Sequence, residues 1–367
     1  MEQNQERAAF FKDLDIPEHV ISEFSRNSGL LAEKTNGLFR ILPDRADVLY
    51  ECPLSVVMDN HSNHFKTIAS LMQIRRLDVL DSLIPWVYQT YLSHGVGKRY
   101  FPVIFGLYRQ AVEETLSTES AEKIVPLYHW LSDNHDYYLN IVNTTSHVAL
   151  NHDPNLVDKF VNTLVNGEYE QAFSMVKVQV EEKKSLDEIY KELFRPALAR
   201  VGDLWQENSI SVAHEHIASA IVARLMIYLY DLLIPAGDRN KGTVLVASVV
   251  NEYHDIGAQM VSDTFEENGW KVWFMGSNVP VQDVTDFMSQ NKPDILALSV
   301  AVPFNLGACR ELVQAVRSCP GCEKVKIMVG GLAFSDYPDI WKSTGADYYA
   351  EDAETAVRIA EDLLRRG

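Results

Sequence analysis

The stretch of sequence that decides the fold runs from residue 243 to residue 257 and reads TVLVASVVNEYHDIG. It opens with an apolar run of strand length, Thr243 to Val249, and continues into a polar loop that ends in a glycine. Similar apolar runs recur towards the C-terminus and alternate with helical patterns. This alternation predicts a parallel sheet with helices on both faces. We expect a five-stranded, flavodoxin-like doubly wound α/β domain over residues 241–367, with its ligand beyond the carboxyl ends of the strands.

Two further regions precede this domain, and both have helical patterns. Residues 151–237 contain four predicted helices, ended by Pro235-Ala236-Gly237, and we expect a four-helix-bundle cap. Residues 1–150 are predicted as an all-helical domain in which prolines such as Pro85 and Pro126 punctuate the helices. The predicted elements from the bundle onward are helices 156–164, 169–182, 185–204 and 212–233, strands 243–249, 271–275, 295–300, 325–329 and 346–349, and helices 258–268, 281–290 and 306–318 between the strands.

The composition limits the classes of function. The chain has a formal net charge of −18, with 51 Asp and Glu residues against 33 Lys and Arg residues. This acidic balance opposes attraction to nucleic-acid phosphates and to anionic lipid, so we expect neither a direct nucleic-acid partner nor a membrane. The first residues lack the basic and then apolar pattern of a secretory signal, and we expect a cytoplasmic protein.

The loop after the first predicted strand holds the strongest chemical signal. His254 lies in it, two residues after Glu252 and three before Gly257. A histidine at the carboxyl end of a strand faces the ligand crevice, and a carboxylate bonded to one ring nitrogen leaves the other nitrogen free to bind a metal. Gly257 is expected to let the backbone turn tightly into the next helix. The alternative is an ordinary loop histidine in a receiver-like domain that binds nothing.

The residues Glu252-x-His254-x-x-Gly257 resemble the Asp-x-His-x-x-Gly signature of cobalamin-binding domains, with glutamate in place of the usual aspartate. Two further elements of that family follow in order, Ser299 at the end of the third strand and Gly330-Gly331 at the end of the fourth. The resemblance implies that His254 is the lower axial ligand to cobalt and that the nucleotide tail enters a slot in the sheet domain. The cofactor-binding residues implied in this domain are Glu252, Tyr253, Asp255, Ile256, Gly257, Ser299, Val300, Gly330 and Gly331.

A second signal lies in the predicted bundle, where Trp205 is followed after nine residues by Glu215-His216. This spacing resembles the adenosylcobalamin photoreceptors, and the resemblance implies that the three residues enclose the upper face of an adenosylcobalamin. One departure is Gln206, which stands where light-sensing repressors of this type can have a histidine. The plain alternative is a buried tryptophan at a helix end beside an ion-paired Glu-His.

These signals lead to one functional hypothesis and one alternative. We expect a cobalamin-dependent light sensor with no enzymatic activity of its own. Photolysis of the cobalt–carbon bond would move the cap and change the oligomeric state of a homo-oligomer or its binding to an unknown signalling partner. The alternative is a corrinoid carrier for a methyltransferase system, whose partners would have to reach the upper face of the cofactor. A mutase subunit is not expected, because it would need a substrate barrel.

The N-terminal region offers candidate ligands of its own. Five histidines occur among its many aromatic residues: His61, His64, His94, His129 and His135. Each is more often a surface or core histidine than a ligand. Taken together, the histidines and aromatics are compatible with a globin-like fold, and the organisation resembles the photocobilins, which implies a bilin such as biliverdin as a second chromophore.

Overall fold

The computed structural model divides the chain into two compact units, Met1–His147 and Val148–Gly367. It describes residues 7, 9–11, 13–50, 52–142, 154–234, 237, 239–335, 337 and 339–366. The predicted boundary at residues 150–151 lies outside the described residues. So do Pro235 and Ala236, which are predicted to end the bundle. The predicted cap and the predicted sheet domain both fall within the second unit.

The described part of the first unit is helical, as the sequence predicts. Its helices are α1 (Glu18–Arg40), α2 (Arg45–Leu49), α3 (Leu54–Gln73), α4 (Leu80–Ser93), α5 (Tyr100–Thr115), α6 (Thr118–Asp133) and α7 (His135–Val142). Two predicted breaks are wrong, because Pro85 lies inside α4 and Pro126 lies inside α6. A proline removes a single helical hydrogen bond. Buried neighbours such as Ile84 and Leu127 keep the two helices in the core.

The two most buried candidate ligands of the first unit already have hydrogen-bond partners. His61 is fully buried, with Nδ1 2.6 Å from Asn36 Oδ1 and Nε2 3.0 Å from the Tyr100 hydroxyl. His64 has Nε2 3.3 Å from the hydroxyl of Tyr128. Burial lowers the pKa of both histidines to about 3, so both rings are neutral. With both of its nitrogens engaged, His61 is part of a polar network in the core and has no nitrogen free for a metal.

The other three candidate histidines of the first unit do not form a metal site either. His94 bonds to the Thr90 carbonyl oxygen at 2.8 Å, His135 lies 3.0 Å from the Tyr88 hydroxyl, and His129 is exposed. Across the part of the chain that the structure describes, no three His, Cys, Asp or Glu side chains are grouped to hold a metal ion. The described histidines therefore give the bilin prediction no support.

The cap of the second unit is a helical bundle. It contains α8 (Pro154–Val165), α9 (Tyr169–Glu181), α10 (Leu186–Ile189), α11 (Arg195–Gln206) and α12 (Val212–Leu233). The predicted helix 185–204 is divided, because a π-helical turn at Tyr190–Phe194 separates α10 from α11. Pro196, at the start of α11, has no N–H to donate, which favours this local change of hydrogen bonding. Phe194 in the turn stacks on Phe160 of α8, with ring centroids 5.6 Å apart.

Helix α12 is the central helix of the cap. Of the described helices it is the one that is long and apolar enough to cross a membrane. Its residues Ala218, Val222, Leu225, Met226 and Leu229 are buried in the core of the bundle. A helix whose apolar face packs against neighbouring helices needs no membrane to bury that face. We therefore interpret α12 as a core helix.

The sheet consists of five parallel strands in the order β2-β1-β3-β4-β5. The strands are β1 (Thr243–Ser248), β2 (Lys271–Phe274), β3 (Ile295–Ser299), β4 (Lys326–Gly330) and β5 (Tyr348–Tyr349), and the helices are α13 (Ile256–Glu267), α14 (Val281–Asn291), α15 (Leu306–Ser318) and α16 (Ala353–Arg366). The predicted fold class is confirmed, a helical N-terminal region and cap joined to a flavodoxin-like sheet domain. Helix α16 is absent from the sequence-based prediction. Strands β1 and β3 are neighbours in the sheet. The chain leads from β1 to β2 on one side and from β3 to β4 on the other, and such a reversal opens a crevice at the carboxyl ends of the two strands.

The face of the sheet that is covered by α13 and α16 ends at that crevice. Alternate residues of each strand point to the same face, and Val246, Ala297 and Met328 pack there against α13 and α16. The same alternation places Ser248, Ser299 and Gly330 at the carboxyl end of this face, where Ser299 pairs in register with both of the others.

The cap is joined to α13 by buried polar contacts. The hydroxyl of Tyr190, in the π-helical turn, donates to Asp263 Oδ2 at 2.8 Å. The Leu186 N–H donates to Glu267 at 3.2 Å. Asp263 is only 4% exposed, and burial raises the pKa of its carboxyl to about 7, although the hydrogen bond from Tyr190 opposes the shift. This contact between cap and sheet domain therefore depends on pH.

Replacing Asp263 by asparagine is expected to flatten the pH dependence of the free energy of unfolding between about pH 4 and about pH 7. A carboxyl whose pKa is raised on folding holds its proton more tightly in the folded state. Its stabilisation is complete below the unfolded value of 3.8 and is lost as pH rises through 7. The native protein thereby loses stability on the order of 4 kcal/mol. Urea denaturation of both proteins over this pH range measures the effect. If the free energy of unfolding varies with pH in the same way in the native protein and in the variant, the raised pKa of Asp263 is contradicted.

Candidate functional site

The loop after β1 is held in place by two asparagines from other loops. Asn251 has a positive φ of 63° and donates its N–H to Asn278 Oδ1 at 2.8 Å. The Asn278 N–H in turn donates to the Glu252 carbonyl oxygen at 3.0 Å. Asn305, just before α15, donates its side-chain amide to the Asn251 carbonyl oxygen at 3.2 Å. These bonds fix the loop backbone that carries Glu252 and His254.

Glu252 is the buried centre of the site. Its side chain is fully buried, and Oε1 lies 2.6 Å from His254 Nδ1 while also accepting the His254 N–H at 3.1 Å. Oε2 accepts the N–H groups of Ala301 and Val302, at 2.9 and 3.2 Å, and the Asn305 amide at 3.1 Å. Burial alone would raise the pKa of Glu252, but the hydrogen bonds together hold it below its usual value. Glu252 is therefore ionised, and its longer side chain still reaches the histidine at a short distance.

His254 is oriented by this carboxylate and faces solvent. Its side chain is 66% exposed. The hydrogen bond to Glu252 raises the pKa of His254, against the effect of burial, and the charge of Glu215 adds to the rise. Because Nδ1 carries the proton shared with Glu252, Nε2 is the nitrogen with a lone pair free for a metal.

Asn305 is a site residue that the sequence analysis missed. It is 3% exposed and contacts both the loop backbone and Glu252. A signal was available, because Asn305 follows Pro303 in the loop after β3, whose carboxyl end adjoins that of β1. The β3 loop thus supplies three of the five donors to Glu252.

The remaining predicted residues of the loop lie around His254. Tyr253 is 68% exposed, Asp255 immediately precedes α13, and Ile256 begins α13 and packs against the core of the cap. Val300 is buried after β3, and its N–H donates to the Gly330 carbonyl oxygen at 2.9 Å. The structure thus places the loop residues 252–257 beside the residues that end β3 and β4.

The three glycines predicted at the site differ in why glycine is needed there. Gly331 has a φ of 104°, and a Cβ there would lie 2.3 Å from the Val300 carbonyl oxygen. A Cβ on Gly330 would lie 2.7 Å from the Ala350 carbonyl oxygen. The expected tight turn at Gly257 is wrong, since Gly257 lies in the first turn of α13 without a positive φ. An added Cβ there would meet no atom within 4 Å, so the space beside Gly257 is open.

Gly331→Ala is expected to lower the free energy of unfolding by about 2–3 kcal/mol. Alanine is strained at this positive φ, and its Cβ would lie too close to the Val300 carbonyl oxygen. Gly257→Ala is the matched control. Alanine is favoured over glycine within a helix, so the control is expected to raise stability by roughly 0.5–1 kcal/mol. Urea denaturation of the two variants measures both effects, and a Gly331→Ala variant as stable as the native protein would refute the close approach.

The predicted triplet of the cap lies on α11 and α12. Trp205 is half-buried near the end of α11. Glu215 and His216, on the first turns of α12, pair with each other at 2.8 Å, and His216 is 74% exposed. Ser219 donates to the second oxygen of Glu215 at 3.0 Å. The Glu-His part of the triplet thus agrees with the plain reading of an ion pair.

The residues at this site fit a cofactor metal bound from one side. A doubly wound domain offers an exposed histidine at its topological switch point, with one nitrogen fixed by an ionised carboxylate and open space beside Gly257. Such an arrangement can offer one nitrogen to the metal of a cofactor. Residues 242–358 match the B12 binding domain family, and residues 156–230 match a second family that is also described as a B12 binding domain. The chain is a cobalamin-binding protein.

Similar proteins include corrinoid proteins of methanogens. Dimethylamine corrinoid protein 3 of Methanosarcina acetivorans is 27% identical over 180 residues, which cover 48% of this chain and 83% of that protein. Dimethylamine corrinoid protein 1 of Methanosarcina mazei is 29% identical over 181 residues, 48% of this chain and 82% of that protein. The structure of the Methanosarcina barkeri monomethylamine corrinoid protein shares the fold, with a TM-score of 0.51 and 19% identity over 57% of this chain and 98% of its own.

The prediction of a light sensor is wrong. The dimethylamine corrinoid proteins match this chain over more than four fifths of their own length. The HTH-type transcriptional repressor CarA of Myxococcus xanthus is 30% identical over 155 residues, which cover 41% of this chain and only 50% of that protein. The spacing of Trp205 and Glu215-His216 misled the prediction, because a half-buried tryptophan and an ion pair on neighbouring helices are also ordinary features of a bundle. The adenosyl form and the bilin have no support from these comparisons.

Proposed function

We propose that this chain is a corrinoid carrier, which holds cobalamin and presents it to partner proteins that transfer methyl groups. The observation that carries the proposal is the similarity to dimethylamine corrinoid proteins over 82–83% of their length. The similarity covers 48% of this chain. On this proposal the isolated chain has no turnover, since its partners supply the methyl donor and acceptor. Methylated amines are the first donors to test.

The residues of this chain would hold the cofactor and keep one face accessible. A bound cobalamin would supply a cobalt ion that accepts and releases a methyl group. His254 would bind that ion through Nε2, and Glu252 would retain the proton on Nδ1, which fixes the ring orientation and makes the nitrogen more basic. The carboxylate stays in place because five hydrogen bonds hold it.

The cap bears on how a partner could reach the cofactor. The charge of Glu215, on the first turn of α12, adds to the raised pKa of His254. On this proposal, a partner that reaches a cofactor held by His254 would have to displace the cap or enter beside it. His216 of the cap and Tyr253 of the loop after β1 are both exposed, so they could offer such a partner a polar and an aromatic contact.

The test is methyl transfer with purified partners. The full chain would be loaded with cobalamin, reduced, and mixed with dimethylamine and a dimethylamine methyltransferase from a Methanosarcina species. Methylation of the bound corrinoid, followed by its loss when a thiol and a corrinoid:thiol methyltransferase are added, is the expected result. Glu252→Gln keeps the size of the side chain and serves as a control with a weakened contact to His254.

Two outcomes count against the carrier. Loaded protein that stays unmethylated with dimethylamine, monomethylamine and trimethylamine, each with its own methyltransferase, would exclude the amine donors. Turnover by the chain alone, without either partner, would replace the carrier with an enzyme.

A further inference from the structure

The loop between α15 and β4 holds two cysteines that are separated by two residues. It contains the sequence CPGC at residues 319–322. All four cysteines of the chain are free thiols. Cys309 lies on α15 ten residues before Cys319, about three helical turns away, and Cys52 belongs to the first unit. Cys319 and Cys322 are therefore the two thiols that the local sequence brings together.

The backbone of this loop folds into a tight turn. Cys319 follows the end of α15 in an extended conformation, Gly321 has a positive φ of 87°, and the Cys322 N–H donates to the Cys319 carbonyl oxygen at 3.1 Å. Proline in second place and a glycine of positive φ in third place are typical of a type II turn. Such a turn brings its first and last Cα atoms within about 7 Å, close to the roughly 4.4–6.8 Å that disulfides span.

The two thiols differ in their access to solvent. Cys319 is partly exposed, and its Sγ lies 3.6 Å from the carbonyl oxygen of Thr285 on α14. Cys322 is fully buried, and burial together with a hydrogen bond to the Cys319 thiol raises its pKa to about 11. An accessible thiol in contact with a buried one suits a two-step exchange, in which the first thiol meets the incoming disulfide and the second resolves the product.

The pair lies at the other end of the sheet domain from the cofactor site. Its loop leads into the amino end of β4, whereas His254 follows the carboxyl end of the parallel strand β1. Helix α15 connects the two regions: Asn305, which bonds to Glu252, precedes it, and Cys319 follows it after 13 residues, or about 20 Å. Chemistry at this pair is therefore independent of cobalamin binding and of methyl transfer.

We propose that Cys319 and Cys322 form a reversible disulfide by exchange with a low-molecular-weight disulfide such as oxidised glutathione. The Cys319 thiolate attacks one sulfur of the incoming disulfide and releases one thiol, which leaves a mixed disulfide. The Cys322 thiolate then attacks Cys319 Sγ and releases the second thiol. The two cysteines lose two electrons and two protons, and the incoming disulfide takes up both as it becomes two thiols.

The exchange is stoichiometric and not catalytic. Dithiols that catalyse exchange gain their reactivity at the amino end of a helix. Cys319 instead follows the carboxyl end of α15, and its partner Cys322 is buried. The pair would therefore record the redox state of its surroundings slowly, without passing electrons rapidly between other proteins.

The test equilibrates the full chain, without oxygen, in buffers of graded ratios of reduced to oxidised glutathione. Each sample is quenched with acid and unfolded, its thiols are alkylated, and mass spectrometry counts and locates the alkyl groups. We expect the native chain to pass from four alkylated cysteines to two, with Cys52 and Cys309 still alkylated. Dithiothreitol should restore all four.

Single variants separate the two thiols. Cys322→Ser is expected to hold one glutathione on the accessible Cys319 and to form no internal disulfide. Cys319→Ser should react with oxidised glutathione at least roughly 10-fold more slowly, because its remaining thiol in the loop is buried. Cys309→Ser is the matched control, since it removes a fully buried thiol of the same helix and should leave the exchange as in the native chain.

Three results would overturn the proposal. The first is a native chain that keeps all four thiols alkylated across the whole series of buffers. The second is a native chain that binds glutathione at Cys319 but never loses the Cys322 thiol. The third is a pair that is oxidised only in urea, because the folded turn would then hold the two sulfur atoms apart.

Discussion

His254→Ala is expected to abolish coordination of cobalt by the protein and to weaken cobalamin binding at least as much as the roughly 10- to 100-fold that loss of an orienting partner costs at metal sites. The reason is that His254 is 66% exposed and its Nδ1 is held by Glu252, which leaves Nε2 to bind the metal. The visible spectrum reports which group binds the lower face of the cobalt, and an equilibrium titration gives the dissociation constant.

His216→Ala is the matched control for this experiment. His216 is also an exposed histidine near a carboxylate, but it lies on the cap, where it pairs with Glu215. We expect its removal to leave the lower-face spectrum as in the native protein. A native spectrum in His254→Ala together with an altered spectrum in His216→Ala would reverse the assignment of the ligand.

Glu252→Ala is expected to lower the free energy of unfolding by about 3–5 kcal/mol, even without cofactor, because it leaves buried donors without their acceptor. The donors include the Asn305 amide and the N–H groups of Ala301 and Val302. Because the pKa of Glu252 is lowered on folding, its contribution is present above the unfolded value of 4.5 and is lost as pH falls through the folded value. Urea denaturation at pH 7 and at pH 4 measures both effects.

Glu252→Gln separates the charge from the shape. The amide keeps the volume of the side chain but accepts hydrogen bonds through one oxygen only. The free energy of unfolding of Glu252→Gln should therefore lie between that of the native protein and that of Glu252→Ala. Equal stability of all three proteins would show that the carboxylate does not organise the loop.

The sequence predicted those features that depend on local patterns. Strands β1 and β3 were predicted to within one residue, because each is a buried apolar run of strand length that follows a polar segment. His254 and Glu252 were predicted as partners because a spacing of two residues within one loop already brings their side chains together.

Features that depend on contacts between distant segments were not predicted. Asn305 is 53 residues from Glu252, and only the pairing of β1 with β3 brings the two together. The function was mistaken for a related reason, because the spacing of Trp205 and Glu215-His216 gives no information on which proteins approach the cap.

The anchoring of Glu252 has a consequence for how the site opens. The amides of Ala301 and Val302 donate to a side chain from another loop, so they lose their acceptor whenever the β1 and β3 loops separate. Exchange of these two amide hydrogens with deuterated solvent therefore times the local opening of the crevice, separately from global unfolding. Bound cobalamin should slow that exchange, because a ligand on His254 stabilises the closed loop against fluctuation.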